Sequence, residues 1–259
     1  MLLNADLGES WKDRAVGNDA ALMPLLDRCN LACGFHGGDA LTMVRTIELA
    51  AEHGVGVGAH PSFPDRKNFG RKRMELPLEE LAALIEYQVS ALMGMVEARH
   101  GRLTHVKPHG ALYHYLNEQP AAAKRFVAVV ESLGIDEVFG PPEGALRGAV
   151  AGSRLRFVSE GFADRRYDYG TVSTREGGSP AASSPTLHLR PRRQPGATLE
   201  QPDEAAAQVR RMIEDGTVVA GNHKPHPLVV DTVCLHGDHP GAYARARAVR
   251  AAIDELTAP

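Results

Sequence analysis

The feature that most constrains the fold is a repeated hand-over, in which a helical pattern stops at a glycine and a short β-type run follows at once. The pattern over 40–53 stops at Gly54 before VGVGA, and the one over 78–100 stops at Gly101 before LTHV. Gly134 precedes IDEVFG and Gly216 precedes TVVAG in the same way. Glycine just past a helix takes the left-handed conformation without a Cβ penalty, so each of these reads as a helix stop. Within 78–100, Leu81, Leu84, Ile85, Val89, Leu92 and Val96 follow a helical period and leave Glu79, Glu80 and Glu86 toward water. Such a helix is an amphipathic cover for a core.

Strands are predicted at 2–5, 28–32, 55–59, 103–106, 137–139, 155–158 and 232–235, with a further candidate at 217–220. Strands alternating with helices form a parallel sheet, because parallel neighbours need a crossover connection. The expected class is therefore α/β. Seven or eight such units in 259 residues fit a closed (β/α) barrel better than an open doubly wound sheet, which stays the alternative. The expected organisation is a single domain over 1–259. One stretch breaks the cadence: 173–197, STREGGSPAASSPTLHLRPRRQPGA, is rich in Ser, Pro, Gly and Arg and reads as an exposed, partly mobile loop.

Composition narrows the partner. The net charge of -3 comes from interspersed charges of both signs, so no basic face points to nucleic acid or to a membrane surface. MLLNADLGES carries Asp6 and Glu9 where a secretory signal needs a basic head and an apolar stretch, and no run of 18 apolar residues occurs later, so a cytoplasmic location is expected. Cys29, Cys33 and Cys234 form no C-x-x-C pair and read as buried free thiols. Neither a G-x-G-x-x-G nor a G-x-x-x-x-G-K-[ST] loop is present.

In a parallel barrel the functional face is built from the loops after the C-terminal strand ends. Nearly every predicted strand end carries polar groups beside small residues: Asn4, Asp6 and Glu9; His36 and Asp39; His60, Asp65, Arg66 and Arg71; His105, Lys107 and His109; Glu160, Asp164 and Arg165; His236 and Asp238. Asp39 also reads as a plain N-cap of the 40–53 helix. The rim suits hydrolytic or amide-directed chemistry. Asp6, His36 and His60 are candidate ligands of a divalent metal, which would acidify a bound water and polarise a carbonyl. Without a metal, Asp6 or His109 would serve as the general base. The candidate catalytic set is Asp6, Lys107, His109, Asp164, His236 and Asp238. The candidate substrate-binding set is Asn4, Glu9, Asp39, Arg66, Arg71 and Arg165, the arginines suiting a carboxylate or phosphate.

NADLGES, NLACGFHGGD, GAHPSFPDRKNFGR, HVKPHGALY, EGFADRRY and TVCLHGD, spread from residue 4 to 238, together resemble the LamB/YcsF family. LRPRRQPGA at 189–197 resembles the family segment that closely follows FADRRY, so residues near 173–188 read as an insertion. The resemblance implies a barrel related to the glycoside hydrolase and deacetylase barrels. It further implies opening of the 5-oxoproline (pyroglutamate) lactam to L-glutamate coupled to ATP hydrolysis, in an ATP-dependent 5-oxoprolinase complex with two other subunits. Two other readings remain: a metal-dependent deacetylase or amidohydrolase of the same barrel, and a non-catalytic ligand-binding subunit.

Overall fold

The computed structural model describes residues 1–12, 14–171 and 185–257. The strands are β1 (Leu2–Leu7), β2 (Arg28–Ala32), β3 (Gly56–His60), β4 (His105–Val106), β5 (Glu137–Gly140), β6 (Arg156–Phe162), β7 (Tyr167–Gly170), β8 (Thr186–Leu189), β9 (Thr217–Val219), β10 (Pro225–Pro227) and β11 (Thr232–His236). The helices are α1 (Asp19–Leu22), α2 (Ala40–His53), α3 (Leu78–Glu97), α4 (Gly110–Glu118), α5 (Pro120–Ser132), α6 (Ala145–Val150), α7 (Pro202–Glu214) and α8 (Ala242–Thr257). Seven strands, every neighbouring pair parallel, close a barrel in the order β1–β11–β6–β5–β4–β3–β2. No helix among the described residues is long and apolar enough to cross a membrane.

Gly54, Gly134 and Gly216 take positive φ as expected, whereas after α3 it is His100, at φ 58°, and not Gly101 that does so. Asp39 opens α2 by accepting the Thr42 N–H at 2.9 Å, and Gly54 closes it at φ 68°. On α3, Leu81, Ile85, Val89, Leu92 and Val96 face the core while Glu79, Glu80 and Glu86 are exposed, and the helix ends at Glu97, three residues early.

Two sequence expectations are corrected. The candidate strand at 217–220 lies outside the barrel, where β9 pairs antiparallel with β10. Pro225 and Pro227 in β10 have no N–H to offer a ladder, which confines the pair to an edge. The loop expected over 173–197 contains β8, which pairs antiparallel with β7. Its alternating Leu187 and Leu189 pack against the core. Residues 173–184, most of the expected insertion, lie outside the described residues.

The barrel interior is polar as well as apolar. His105, from β4, is fully buried, donates from Nε2 to Asn30 Oδ1 at 2.8 Å and stacks on Phe139 at 4.2 Å. Its ring fills the space a side chain on Gly58 would need: a Cβ there would lie 2.2 Å from His105 Nε2. Burial first, then the charges of Arg28 and Lys107, holds the His105 pKa well below 6.5, so the ring is neutral.

Gly58→Ala is expected to cost about 1–3 kcal/mol of stability by urea unfolding, since the rigid ring cannot swing aside. The depressed His105 pKa adds a pH dependence. The unfolded ring gains its proton near pH 6.5 and the folded ring only at lower pH, so stability falls as pH drops below about 6.5, by up to ~1.4 kcal/mol per pH unit for this group. Urea midpoints of chelator-treated protein between pH 8 and 5 should show the fall, and His105→Gln should make it shallower.

Candidate active site

A buried ion pair occupies the centre of the barrel. Asp6 projects from β1, and Lys107 directly follows β4. Asp6 Oδ1 accepts from Lys107 Nζ at 3.0 Å and from Asn30 Nδ2 at 2.9 Å, while Oδ2 stands 3.3 Å from His60 Nε2. Lys107 Nζ also lies 2.9 Å from Glu160 Oε1 and 3.0 Å from Cys234 Sγ, with Asn4 Oδ1 at 3.4 Å. All of these residues are buried. Burial alone would raise the Asp6 pKa, but His60 and Lys107 outweigh it and hold the carboxyl well below the usual range. Burial would lower the Lys107 pKa, and Asp6, Cys234 and Glu160 together push it well above 10.5. Both groups are therefore charged.

Above this pair, toward the mouth, stand three imidazoles and a carboxyl. His36 Nε2 is 3.1 Å from Glu9 Oε1, and His109 Nδ1 is 2.9 Å from His60 Nε2 and 3.7 Å from Glu9 Oε1. Burial and the neighbouring Asp6 raise the Glu9 pKa well above 4.5. Burial and the adjacent rings push His36 and His109 well below 6.5. One donor atom from each of Glu9, His36, His60 and His109 lies within 4.8 Å of the others, as is true of Asp6, Cys234 and His236. Such a buried cluster could hold a metal ion. The first group has the better donors for one, because Asp6 and Cys234 already accept from Lys107.

A histidine–carboxylate pair stands beside the ion pair on β11. His236 donates from Nδ1 to Asp164 Oδ1 at 2.9 Å, its backbone N–H donates to Oδ2 at 3.1 Å, and its ring stacks on Phe162 at 5.6 Å. With Nδ1 held as donor to Asp164, Nε2 is the ring nitrogen left to exchange a proton with a bound molecule. Burial raises the Asp164 pKa, and His236 outweighs it, leaving the carboxylate ionised.

Positive charge gathers at the mouth. Arg71 pairs with Asp238 at 3.0 Å, and Arg192 donates to His239 at 3.2 Å while its charge helps hold down the Asp164 and Asp238 carboxyls. The fold brings together Asn4, Asp6, Glu9, His36, His60, Lys107, His109, Asp164, His236, Asp238 and Arg71. Three other sequence candidates are engaged by backbone. Arg66 donates to the Gly34 and Gly38 carbonyls, and Arg165 to those of Ala197 and Arg190. Burial and Arg192 bring the Arg165 pKa down to about 10. Asp39 accepts the N–H groups of Thr42 and Lys12, which lowers its pKa to about 2. His105 faces the barrel interior beside Asn30 instead of the rim. Arg192 and Cys234 are the residues that sequence reasoning passed over. Arg192 stands in the quoted LRPRRQPGA stretch without a periodic pattern to orient it, and nothing in sequence distinguishes a buried thiol that touches a lysine from an inert one.

The chain is similar to known proteins over nearly its whole length. The LamB/YcsF family profile matches residues 1–258. The A subunit of 5-oxoprolinase from Methylococcus capsulatus is 43% identical over 249 residues, covering 96% of this chain and 90% of that protein. The A subunit of 5-oxoprolinase from Bordetella pertussis is 40% identical over 253 residues, covering 97% and 94%. Among solved structures, the lactam utilization protein from Thermus thermophilus superposes with a TM-score of 0.85 at 37% identity, covering 98% of this chain and 96% of that one. With one family profile spanning nearly its whole length and relatives this similar over most of theirs, the chain belongs to the LamB/YcsF family.

Proposed function

We propose that this chain binds 5-oxo-L-proline and opens its lactam to L-glutamate, as one subunit of an ATP-dependent 5-oxoprolinase that contains two other subunits. The observation that carries the reading is the meeting, inside one barrel, of the charged Asp6–Lys107 pair with the His236–Asp164 dyad. Relatives named as 5-oxoprolinase subunits support both the substrate and the membership of a larger assembly.

The chemistry follows from the substrate. A five-membered lactam is a resonance-stabilised amide with little ring strain, so its hydrolysis needs coupling. Transfer of the γ-phosphoryl group of ATP to the amide oxygen gives an imidate phosphate and ADP. Water then adds to the activated carbon, its proton passing to Asp6 Oδ2. The C–N bond breaks as the ring nitrogen takes a proton from Nε2 of protonated His236, and the added hydroxyl returns its own proton to that Nε2 as the carbonyl forms, leaving γ-glutamyl phosphate. A second water hydrolyses this acyl phosphate to glutamate and inorganic phosphate. Lys107 places a fixed positive charge where negative charge develops on the oxygen. Arg192 and Arg71 present guanidinium groups of the right charge for the substrate carboxylate. A divalent ion on the histidine cluster would supply Lewis-acid polarisation of a carbonyl or phosphoryl oxygen. ATP is held by basic groups of the assembly and not by a P-loop of this chain, whose sequence lacks one.

Asp6→Asn keeps the volume and the Asn30 contact and leaves Lys107 paired with Glu160, so it should stay folded by circular dichroism while unfolding at lower urea than the wild type. Its glutamate release from 5-oxoproline and ATP, with partner subunits present, should fall by at least ~100-fold. Wild-type activity from that variant would remove Asp6 from the mechanism. Arg192→Ala should raise KM for 5-oxoproline and leave kcat largely in place. Turnover that needs no ATP and disappears on chelation would instead favour a metal-dependent amidohydrolase.

A further inference from the structure

A buried carboxylate beside Lys107 has no hydrogen bond of its own. Glu160, near the end of β6, is 1% exposed, and neither of its carboxylate oxygens has a hydrogen-bond partner among the described residues. Oε1 stands 2.9 Å from Lys107 Nζ, near enough for ion pairing but without the alignment of a hydrogen bond. The Tyr113 hydroxyl, from α4, is also buried without a partner, and burial followed by the charge of Glu160 holds its pKa well above 10. An acceptor and a neutral hydroxyl left unpaired near each other are costly unless a polar ligand satisfies them.

Asp6 is not equivalent to Glu160 in this respect. Its Oδ1 accepts from Lys107 and Asn30, and its Oδ2 faces His60. Lys107 and Glu160 therefore set one donor and one uncommitted acceptor side by side. A secondary amide presents its C=O and N–H on a single edge only in the cis form. Open-chain amides strongly prefer trans, whereas a five-membered ring holds its amide cis.

We infer that Glu160 accepts the lactam N–H while Lys107 donates to the lactam C=O, so that the pair reads the cis edge of a cyclic amide and turns away open-chain amides. The assignment rests on the lactam reading above and says how that substrate is chosen. It also gives the N–H proton a place to go. As the amide oxygen attacks the γ-phosphorus and ADP leaves with the electrons of the breaking P–O bond, the N–H electron pair becomes the C=N bond of the imidate and the proton passes to Glu160. When water adds to the activated carbon, the C=N pair returns to nitrogen, which takes that proton back. The nitrogen then carries one hydrogen before His236 supplies the second, and Glu160 ends as it began.

The test is isothermal titration calorimetry of the full-length chain, alone and with its partner subunits. The two probes are 5-oxo-L-proline and 3-oxocyclopentane-1-carboxylate, in which a methylene replaces the ring N–H and no bond can be hydrolysed. The carbocycle should bind the wild type at least ~100-fold more weakly than the lactam, because it leaves the Glu160 carboxylate buried and unpaired. Glu160→Gln keeps the side-chain size but turns an amide NH2 toward either Lys107 or the lactam N–H. It should weaken 5-oxoproline binding by about 10-fold or more and leave the carbocycle nearly unchanged. A role in folding alone would weaken both ligands alike. Equal wild-type affinity for the two probes, or a ratio that Glu160→Gln leaves intact, overturns the inference while the lactam reading stands. Binding of 5-oxoproline to neither preparation overturns the lactam reading and this inference with it. Because the ratio is read first on the wild type, the outcome does not depend on the variant folding.

Discussion

The structure depends on one buried ion pair, Asp6 with Lys107, set where β1 and β4 face each other across the barrel. A charge left alone in such a place is prohibitive, and removing one partner of a buried pair typically costs about 3–5 kcal/mol. Each member is therefore over-determined. Asn30 and His60 assist Asp6, while Glu160, Cys234 and Asn4 surround the ammonium. A hydrophobic plug would fill a seven-stranded barrel at less risk. The retention of this pair in the most protected part of the chain makes sense as preorganised charge, held ready for a reaction without solvent rearrangement.

Two chemistries grow outward from that pair. On one side His60 links it to the cluster of Glu9, His36 and His109, and on the other Asp164 aims His236 back toward Asp6. The loops that deliver these groups are held by side chains that do no chemistry: Arg66 on the Gly34 and Gly38 carbonyls, Arg165 on those of Ala197 and Arg190, Asp39 on the start of α2. Polar residues along one rim thus divide into those that present an atom to the mouth and those that keep the rim in shape. This division explains how so many charged residues can crowd one end of a barrel without repelling it open.

Much of this was legible in the sequence. The glycine stops at 54, 134 and 216 located the crossovers, and the polar strand ends named most of the residues that meet. What failed did so for physical reasons. Periodicity over 217–220 reports an extended run and not which sheet it joins. The 189–197 stretch has no period from which to orient Arg192. Asp39 carried a capping and a functional reading that only its two accepted N–H bonds could separate. Glu9 and His109 come from different strand ends, and nothing in their sequence spacing shows that they meet His36 and His60 with donor atoms within 4.8 Å of one another.

The central claim is that 5-oxoproline is taken up at the mouth of this barrel, against the Asp6–Lys107 pair. A crystal structure of the chain with 5-oxo-L-proline tests it most directly. The account predicts the lactam carbonyl within hydrogen-bonding reach of Lys107 and the carboxylate against Arg192 or Arg71. A well-defined ligand bound elsewhere on the molecule, with the barrel mouth left to solvent, would contradict it.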